Sequence, residues 1–457
     1  MKILSLALHR PITRFCFASV LTAALSAFNS EAANWSAWRG PDGSGVSPEK
    51  NFPTQWSETK NIRWHVELPD RGNSSSIVWG DRVFVTQAIE KEGRRTVMCF
   101  DRVNGKLLWQ QGTVYTEKEE THETNPYCAA SPVTDGQRVI ATFGSAGVFS
   151  YDFAGKEIWH RDLGKQSHTW GNASSPILHG NLCILYHGPG EKSLLVALDK
   201  QTGKTVWQVE LPQITPKERT DGFKGRGPGI IGSFGTPILA RTKNRSELIL
   251  GLPEQLRAFD PATGKDLWTC DGLNPLIYTS PILGDGLVVT MGGFMGGTMA
   301  VRPGGAGDVT STARVWHEVR AKKNRIGSGV IAGGYIYILN SDGIAECLEL
   351  TTGKTVWEER LKALGAKSDS WSSMLLTGDK IYTVNQSGDT HVLRASPKFE
   401  LLATNSVGEP SNSSLAASDG ELFLRTHKGL WCISEKKQAA ALRSSNSRAT
   451  GPTVQPN

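Results

Sequence analysis

Several polar and aromatic side chains stand just before short apolar segments, where they could form a binding site together. They are His122, Asn125, His168, Trp170, Asn172, Arg325, Trp371 and Asn412. Trp170 and Trp371 offer stacking faces, Arg325 offers a positive charge, and the amides and imidazoles offer hydrogen bonds. These side chains predict a site for a small polar or anionic ligand. The alternative is that neighbouring Ser and Thr side chains only satisfy strand-end backbone groups around a channel that holds water.

The same region contains no recognisable catalytic set. The order of Ser, His and Asp residues in the sequence does not by itself indicate a catalytic triad. We interpret His168 as a packing or hydrogen-bonding residue. His122 with Glu120 and Glu123 has side chains of metal-binding type, but such a group in an acidic loop is more commonly solvated. No Cys-Cys or Cys-x-x-Cys pair occurs. We therefore predict neither a catalytic residue nor a metal site.

The elements that must position these side chains form an internal repeat. Residues 197–207 have the pattern of a strand, a tight turn and a second strand ending on tryptophan. The pattern Gly-Lys-x-x-Trp begins five times, at Gly105, Gly155, Gly203, Gly264 and Gly353. Repeats of about 40–50 residues with strand character indicate a propeller or a related array. The tryptophans predicted to lie on the last strand of a repeat are Trp64, Trp109, Trp159, Trp207, Trp268, Trp316 and Trp357.

The number of repeats predicts an all-β fold, an eight-bladed β-propeller of four-stranded antiparallel blades. A degenerate copy follows Trp357, with Leu402 at the tryptophan position. The last repeat begins at Ser413 and has only three strands, and the isolated strand around Trp64 supplies the fourth. We expect this N-terminal strand to complete the C-terminal blade, because pairing the two ends leaves no open sheet edge.

The recurring residues have structural explanations. Glycine permits the positive φ that a tight hairpin needs, and tryptophan buries a large area between sheets while its N–H bonds a carbonyl. Cys99, Cys347 and Cys432 occupy a slot that holds alanine in other repeats, so we expect them to be buried as small apolar side chains. The fifth repeat departs from the pattern, with glycine-rich stretches at 292–297 and 302–308.

The two ends of the chain differ in composition from the repeats. Residues 1–32 combine Lys2, Arg10 and Arg14 with an apolar run at 15–28 and a small-x-small site, which predicts a cleaved export signal. We expect residues 33–60 to be an irregular segment packed on the propeller, residues 61–435 to form the propeller, and residues 436–457 to be a disordered tail. The formal net charge of +6 is too small to favour nucleic-acid binding, and we expect no membrane span.

The strand–Asp-x-x-Thr-Gly-Lys-x-x-Trp pattern, over residues 62–434, resembles the pyrroloquinoline quinone (PQQ)-like propeller repeat. Trp-Arg-Gly-Pro at 38–41 and the segments 131–136 and 301–305 are similar to secreted PQQ-like repeat proteins of environmental bacteria. The resemblance implies two kinds of function. Quinoprotein alcohol dehydrogenases hold quinone and calcium in the channel, with an Asp base and usually a vicinal disulfide. Outer-membrane assembly factor B is a scaffold without a cofactor.

This sequence departs from both patterns, since it has no adjacent cysteines, no calcium-binding set that aligns, and no evident lipid-anchor cysteine. Our first hypothesis is a periplasmic or secreted, monomeric, non-catalytic scaffold that binds an envelope protein or a small polar ligand and needs no cofactor. The main alternative is a PQQ-dependent oxidoreductase, an alcohol or sugar dehydrogenase that uses PQQ and calcium in the central channel. A third is a hydrolase or polysaccharide-related enzyme at the channel mouth.

Overall fold

The computed structural model describes residues 33–190, 192–214, 231–319 and 323–435. Within these ranges the chain is built of strands, with two short 3-10 turns at Glu90–Glu92 and Gly144–Ala146. None of the described helical segments has the length and apolar character needed to cross a bilayer. The predicted export signal (1–32) and tail (436–457) lie outside the described residues.

The strands form eight blades in chain order, which confirms the predicted fold. Blades 1 and 2 comprise Ile77–Trp79, Arg82–Ile89, Arg94–Asp101 and Leu107–Val114, then Val133–Thr134, Arg138–Thr142, Val148–Asp152 and Glu157–Arg161. Blades 3 and 4 comprise Ile177–His179, Leu182–His187, Ser193–Asp199 and Thr205–Leu211, then Ile238–Arg241, Ser246–Leu252, Gln255–Phe259 and Asp266–Asp271.

The second half of the ring repeats the same layout. Blades 5 and 6 comprise Ile282–Gly284, Leu287–Met291, Thr298–Val301 and Arg314–Glu318, then Val330–Ala332, Tyr335–Leu339, Ile344–Glu349 and Thr355–Arg360. Blade 7 comprises Leu375–Thr377, Lys380–Val384, Thr390–Arg394 and Leu401–Asn405. Short parallel additions are Val46–Ser47 on blade 7, Gly307–Asp308 on blade 4, and a separate pair, Gly232–Ser233 with Leu276–Ile277.

Blade 8 joins the two ends of the described chain. Its first three strands are Ala416–Ser418, Glu421–Arg425 and Gly429–Ile433, and its fourth is Ile62–Glu67. Ile62–Glu67 pairs antiparallel with Gly429–Ile433, with Trp64 opposite Cys432. The predicted closure is therefore confirmed.

The joint between neighbouring blades is a tryptophan that packs on a glycine. Trp159 of blade 2 donates a 3.0 Å hydrogen bond from its indole N–H to the carbonyl of Lys200 in blade 3. Gly203 follows in the same turn, with φ of +70°, and a Cβ built there would lie 2.7 Å from the Trp159 ring. The same contact joins Trp64 with Gly105, Trp109 with Gly155, Trp207 with Gly264 and Trp316 with Gly353. The motif glycine therefore accommodates the tryptophan of the preceding blade as well as permitting the turn.

The joint between blades 4 and 5 is different because blade 5 lacks the usual turn. Six of the seven repeat tryptophans donate to a backbone carbonyl in the next blade. Trp268 instead donates to the Glu247 carboxylate at 2.8 Å. Glu247 is fully buried, pairs with Arg245 and accepts the backbone N–H of Gly304 in the glycine-rich turn. A buried carboxylate thus replaces the missing carbonyl.

The strand opposite each tryptophan carries a small residue, as the sequence predicted. Cys99 faces Trp109, Cys347 faces Trp357 and Cys432 faces Trp64. All six cysteines of the described chain are buried, and burial raises the pKa of the Cys99 thiol to about 12. In blade 7 the sequence predicted Leu402 at the tryptophan position, and this prediction was wrong by one residue. A bulge places Ala403 opposite Val392, in the tryptophan position.

We predict that Gly203→Ala destabilises the protein more than Gly180→Ala. Both glycines lie in blade 3 with positive φ, but no described atom lies within 4 Å of the Cβ position at Gly180. Gly180→Ala should cost about 1–2 kcal/mol for the left-handed backbone. Gly203→Ala should cost about 1–3 kcal/mol more, because the methyl group overlaps Trp159. Denaturant unfolding of both variants measures the difference, and equal losses would contradict the steric role of Trp159.

Candidate functional site

A closed ring of eight hydroxyl side chains surrounds the central channel, one from each blade. The backbone N–H of each ring residue donates to the hydroxyl of the next blade at 2.7–3.0 Å. The order is Ser75, Ser131, Ser175, Thr236, Ser280, Ser328, Ser373, Ser414 and back to Ser75. All eight are buried. These hydroxyls satisfy strand-end backbone groups, as the alternative interpretation of the sequence proposed.

The ring leaves hydrogen-bond donors facing the channel. Each ring oxygen accepts a backbone N–H, so its own hydrogen remains for another partner. Six of the eight residues line a single cavity: Ser75, Ser175, Thr236, Ser328, Ser373 and Ser414. The cavity has a volume of about 400 Å³. That volume lies within the range of about 300–1,000 Å³ that is typical of small-molecule sites.

One end of the channel is crossed by the N-terminal segment. Trp35 bonds the backbone of Val78 in blade 1, and Ser36 accepts the N–H of Thr134 in blade 2. Arg39 then contacts Ser328 at the start of blade 6, which is opposite blade 2 in the ring, and Val46–Ser47 pairs with blade 7. Trp38 lies between these anchors and lines the cavity. The segment therefore covers the channel at this end.

Arg39 fixes the crossing segment to blades 6 and 7. Its side chain is only 3% exposed, and it donates to five carbonyls, those of Gly43, Ser44, Ser328, Gly329 and Met374. Burial lowers the pKa of Arg39 to about 9, so it remains protonated at neutral pH. A Cβ at Gly45 would lie 2.6 Å from the guanidinium. The Trp-Arg-Gly motif is thus a structural element of the channel.

A continuous group of aromatic rings lines the open end of the cavity. The Trp371 ring stacks on His122 with centroids 6.5 Å apart, and His122 meets the edge of Trp170 at 6.2 Å. Trp170 stacks on Tyr278 at 5.9 Å, and Tyr278 stacks on Phe234 at 5.6 Å. We call these five side chains the aromatic band. Pockets of this kind bind ligands through stacking and burial.

Amide groups complete the mouth. The Nδ2 groups of Asn73 and Asn412 both donate to the carbonyl of Thr124, at 2.7 and 3.3 Å. Their Oδ1 atoms are buried and have no hydrogen-bond partner in the structure. Both asparagines line the cavity. A ligand with O–H or N–H groups would satisfy these oxygens, and leaving a buried acceptor unpaired costs about 1–3 kcal/mol.

Of the eight side chains that the sequence proposed for the site, the structure brings five to this cavity: His122, Asn125, Trp170, Trp371 and Asn412. His168 packs edge-on against Trp170 and Phe234, and burial lowers the pKa of its imidazole, which favours the neutral form. Asn172 does not line the cavity, and its carbonyl accepts a hydrogen bond from Asn125 at 3.2 Å. Ligand binding by this set of residues stays a prediction.

Arg325 does not bring its charge to the cavity. Its guanidinium is 2% exposed and pairs with Glu346 at 3.1 Å and with the Thr298 hydroxyl at 2.6 Å. Burial opposes ionisation of Glu346, but Arg325 and Lys323 together hold the pKa of this carboxyl below its ordinary value. Arg325 therefore belongs to a buried ion pair between blades 5 and 6.

Four further aromatic residues line the cavity: Trp38, Phe234, Tyr278 and Phe294. Phe234 and Tyr278 precede blade strands, where the sequence predicts side chains of the channel mouth, whereas Trp38 and Phe294 were not predicted there. Phe294 lies in the glycine-rich stretch of blade 5, and Trp38 comes from the irregular N-terminal segment. Nothing local in the sequence placed either of them at the channel.

The described lining of the cavity is aromatic and polar, with His122 as its one imidazole. Among the residues that the structure describes, no Asp, Glu, Lys or Arg lines it, and no group of three or more potential metal ligands occurs in the described chain. PQQ is a tricarboxylate and needs cationic partners, while calcium prefers carboxylate and carbonyl oxygens. No vicinal disulfide is present among the described cysteines. The described lining residues therefore lack the cations that the PQQ carboxylates need and the carboxylates that calcium prefers.

The repeat, the eight blades and the N-terminal strand that completes the C-terminal blade define a PQQ-like repeat propeller. The chain belongs to the family described as outer membrane protein assembly factor BamB, which matches residues 54–190 and 191–443. The outer membrane protein assembly factor BamB of Moranella endobia is 23% identical over 318 residues, which are 65% of this chain and 72% of that protein.

Solved structures show the same fold at low sequence identity. The crystal structure of BamB from Moraxella catarrhalis superposes with a TM-score of 0.56 at 15% identity, covering 84% of this chain and 98% of that one. The quinohemoprotein alcohol dehydrogenase from Comamonas testosteroni superposes with a TM-score of 0.64 at 13% identity, covering 88% and 80%. The similarity to both kinds of protein establishes the architecture and does not distinguish their functions.

We predict that Thr236→Val destabilises the propeller while Thr236→Ser does not. Valine has the same shape but leaves the buried N–H of Ser175 without its 2.9 Å acceptor, which should cost about 1–3 kcal/mol. Serine keeps the acceptor and occurs at the seven equivalent positions. Guanidinium unfolding of the two variants measures this cost, and equal stability would show that the hydroxyl ring contributes little.

Proposed function

We propose that this protein is a non-catalytic binding scaffold of the cell envelope, with a ligand cavity at the mouth of its propeller channel. The observation that carries the proposal is the chemistry of the cavity. It has aromatic faces, amide oxygens and hydroxyl hydrogens, and no carboxylate or cation among its described lining residues. Such a surface binds by stacking and hydrogen bonding, and His122 and Tyr278 are the side chains of general acid–base type among its described lining residues.

Membership of the assembly factor family supports a scaffold role. That family is described by outer membrane protein assembly, and by extension we propose an envelope protein as partner. A location in the periplasm or outside the cell follows from the export pattern of residues 1–32. We propose that the folded chain acts as a monomer, because pairing of Ile62–Glu67 with Gly429–Ile433 closes the ring within one chain.

The quinone-dependent alternative predicts a different site. Although the fold is shared with quinohemoprotein alcohol dehydrogenases, the cavity supplies no described guanidinium or ammonium group for the PQQ carboxylates. Arg325, the cation that the sequence placed at the mouth, is paired with Glu346 inside the fold. These observations favour the scaffold over the dehydrogenase.

We predict that the purified protein does not retain PQQ. After incubation with PQQ and calcium followed by gel filtration, the quinone absorbance should elute apart from the protein, and no alcohol should reduce a dye. A quinoprotein alcohol dehydrogenase prepared without its cofactor, carried through the same steps, is the positive control. Stoichiometric retained quinone with alcohol-dependent dye reduction would overturn the scaffold proposal.

We predict that the full-length chain, tagged at its C-terminus and expressed in its native host, fractionates with the envelope contents and cross-links to a specific envelope protein. The same chain with Leu21→Arg and Leu25→Arg in the export segment should remain in the cytoplasm, because charges interrupt the apolar run. A wild-type chain found in the cytoplasm, or one that gives no specific cross-linked product, would contradict the proposal.

A further inference from the structure

We infer that the channel-mouth cavity binds a neutral saccharide, as a mono- or disaccharide unit or the end of a longer chain. The inference rests on the proposed function as a binding scaffold and names the ligand class of its cavity. It depends on three features of the described residues: the aromatic band, the unpaired amide oxygens and the free hydroxyl hydrogens.

The aromatic band suits the apolar face of a sugar ring. A pyranose presents axial C–H groups on one face and hydroxyls around its edge, so it stacks on an aromatic ring and still forms hydrogen bonds. Trp371 and Trp170 are half-buried and line the cavity. The ring of Trp371 stacks on His122, and the ring of Trp170 stacks on Tyr278. Rings held in this way lose little conformational entropy when a ligand binds.

The polar groups match hydroxyls that both donate and accept. Asn412 is 9% exposed, and its Oδ1 is buried without a partner while its Nδ2 is held by the carbonyl of Thr124. Asn73 has the same arrangement. These two oxygens accept hydrogen bonds, and the hydroxyl ring donates them. Because a sugar hydroxyl does both, it can satisfy both kinds of group at once.

The same features argue against charged ligands. The two amide oxygens cannot donate a hydrogen bond to a carboxylate or phosphate, and no described lining cation balances its charge. Aromatic rings do attract quaternary ammonium ions. However, the ring oxygens already accept backbone N–H groups, and no carboxylate among the described lining residues balances the charge. A neutral, hydroxyl-rich ligand remains the best match.

The shape of the site sets the length of the ligand. Trp38 and the crossing segment close one end, so a ligand enters from the mouth only. The volume of about 400 Å³ admits one or two sugar rings and excludes a polymer threading through the channel. A longer saccharide would therefore insert its end.

The test uses the full folded chain with cellobiose, maltose and N,N′-diacetylchitobiose, followed by tryptophan fluorescence and calorimetry. Choline and an aromatic tripeptide are tested in parallel. We expect saturable binding of at least one disaccharide, with a dissociation constant of about 10 μM to 1 mM. Failure of all three disaccharides to bind, or tighter binding of choline or the tripeptide than of any disaccharide, overturns the inference.

Variants locate the binding. Trp371→Ala and Asn412→Leu should each weaken disaccharide binding by about tenfold or more, which corresponds to about 1.4 kcal/mol. Trp371→Phe should weaken it less, because a ring remains. Asn172→Ala is the matched control, since Asn172 lies at the same mouth but outside the cavity, and it should bind normally. Thermal unfolding confirms that each variant folds.

Unchanged affinity in both Trp371→Ala and Asn412→Leu overturns the inference. The outcome is separable from the proposed function. If no saccharide binds but the envelope cross-link persists, only the saccharide inference is overturned. If the protein retains PQQ and reduces a dye with alcohol, the proposed scaffold function is overturned.

Discussion

The hydrogen bond from a backbone N–H to the hydroxyl of the next blade is the interaction on which this structure depends. It occurs eight times and closes on itself between Ser414 and Ser75, which are 339 positions apart in the chain. The tryptophan–glycine contact fixes five of these eight pairs of blades a second time. A blade held at two places cannot tilt freely, so the loops before its first strand keep their positions at the mouth.

The charged groups near the channel serve this frame. Arg39 pins the crossing segment through carbonyls, and Arg325 pairs with Glu346. Arg425, at the junction of blades 8 and 1, donates to the Thr86 carbonyl at 2.8 Å and to Gln87 at 2.6 Å, and burial lowers its pKa to about 10. These three cations are used inside the fold and are not available to a ligand, and the described residues that line the mouth include no Lys or Arg.

The sequence predicted the blades well because their determinants are local. The turn glycine, the tryptophan and the small residue opposite it lie within one repeat, and the number of copies gave the number of blades. The site was predicted less completely because its determinants are not local. The ion pair of Arg325 with Glu346 crosses between blades, and Trp38 reaches the channel only when Arg39 bonds blades 6 and 7. Asn412 and Asn172 both precede a blade, yet only Asn412 lines the cavity.

The pairing of an N-terminal strand with C-terminal strands in blade 8 constrains the order of events in folding. Among the strands of the eight blades, Ile62–Glu67 is synthesised first, and its partner, Gly429–Ile433, is synthesised last. The same early part of the chain contains the segment that covers the channel by bonding blades 6 and 7. Contacts between such distant parts of a chain form slowly, and an unpaired strand is open to the wrong partner in the meantime. The interval before the ring closes is therefore when this chain exposes the unpaired edge of blade 8 to other chains.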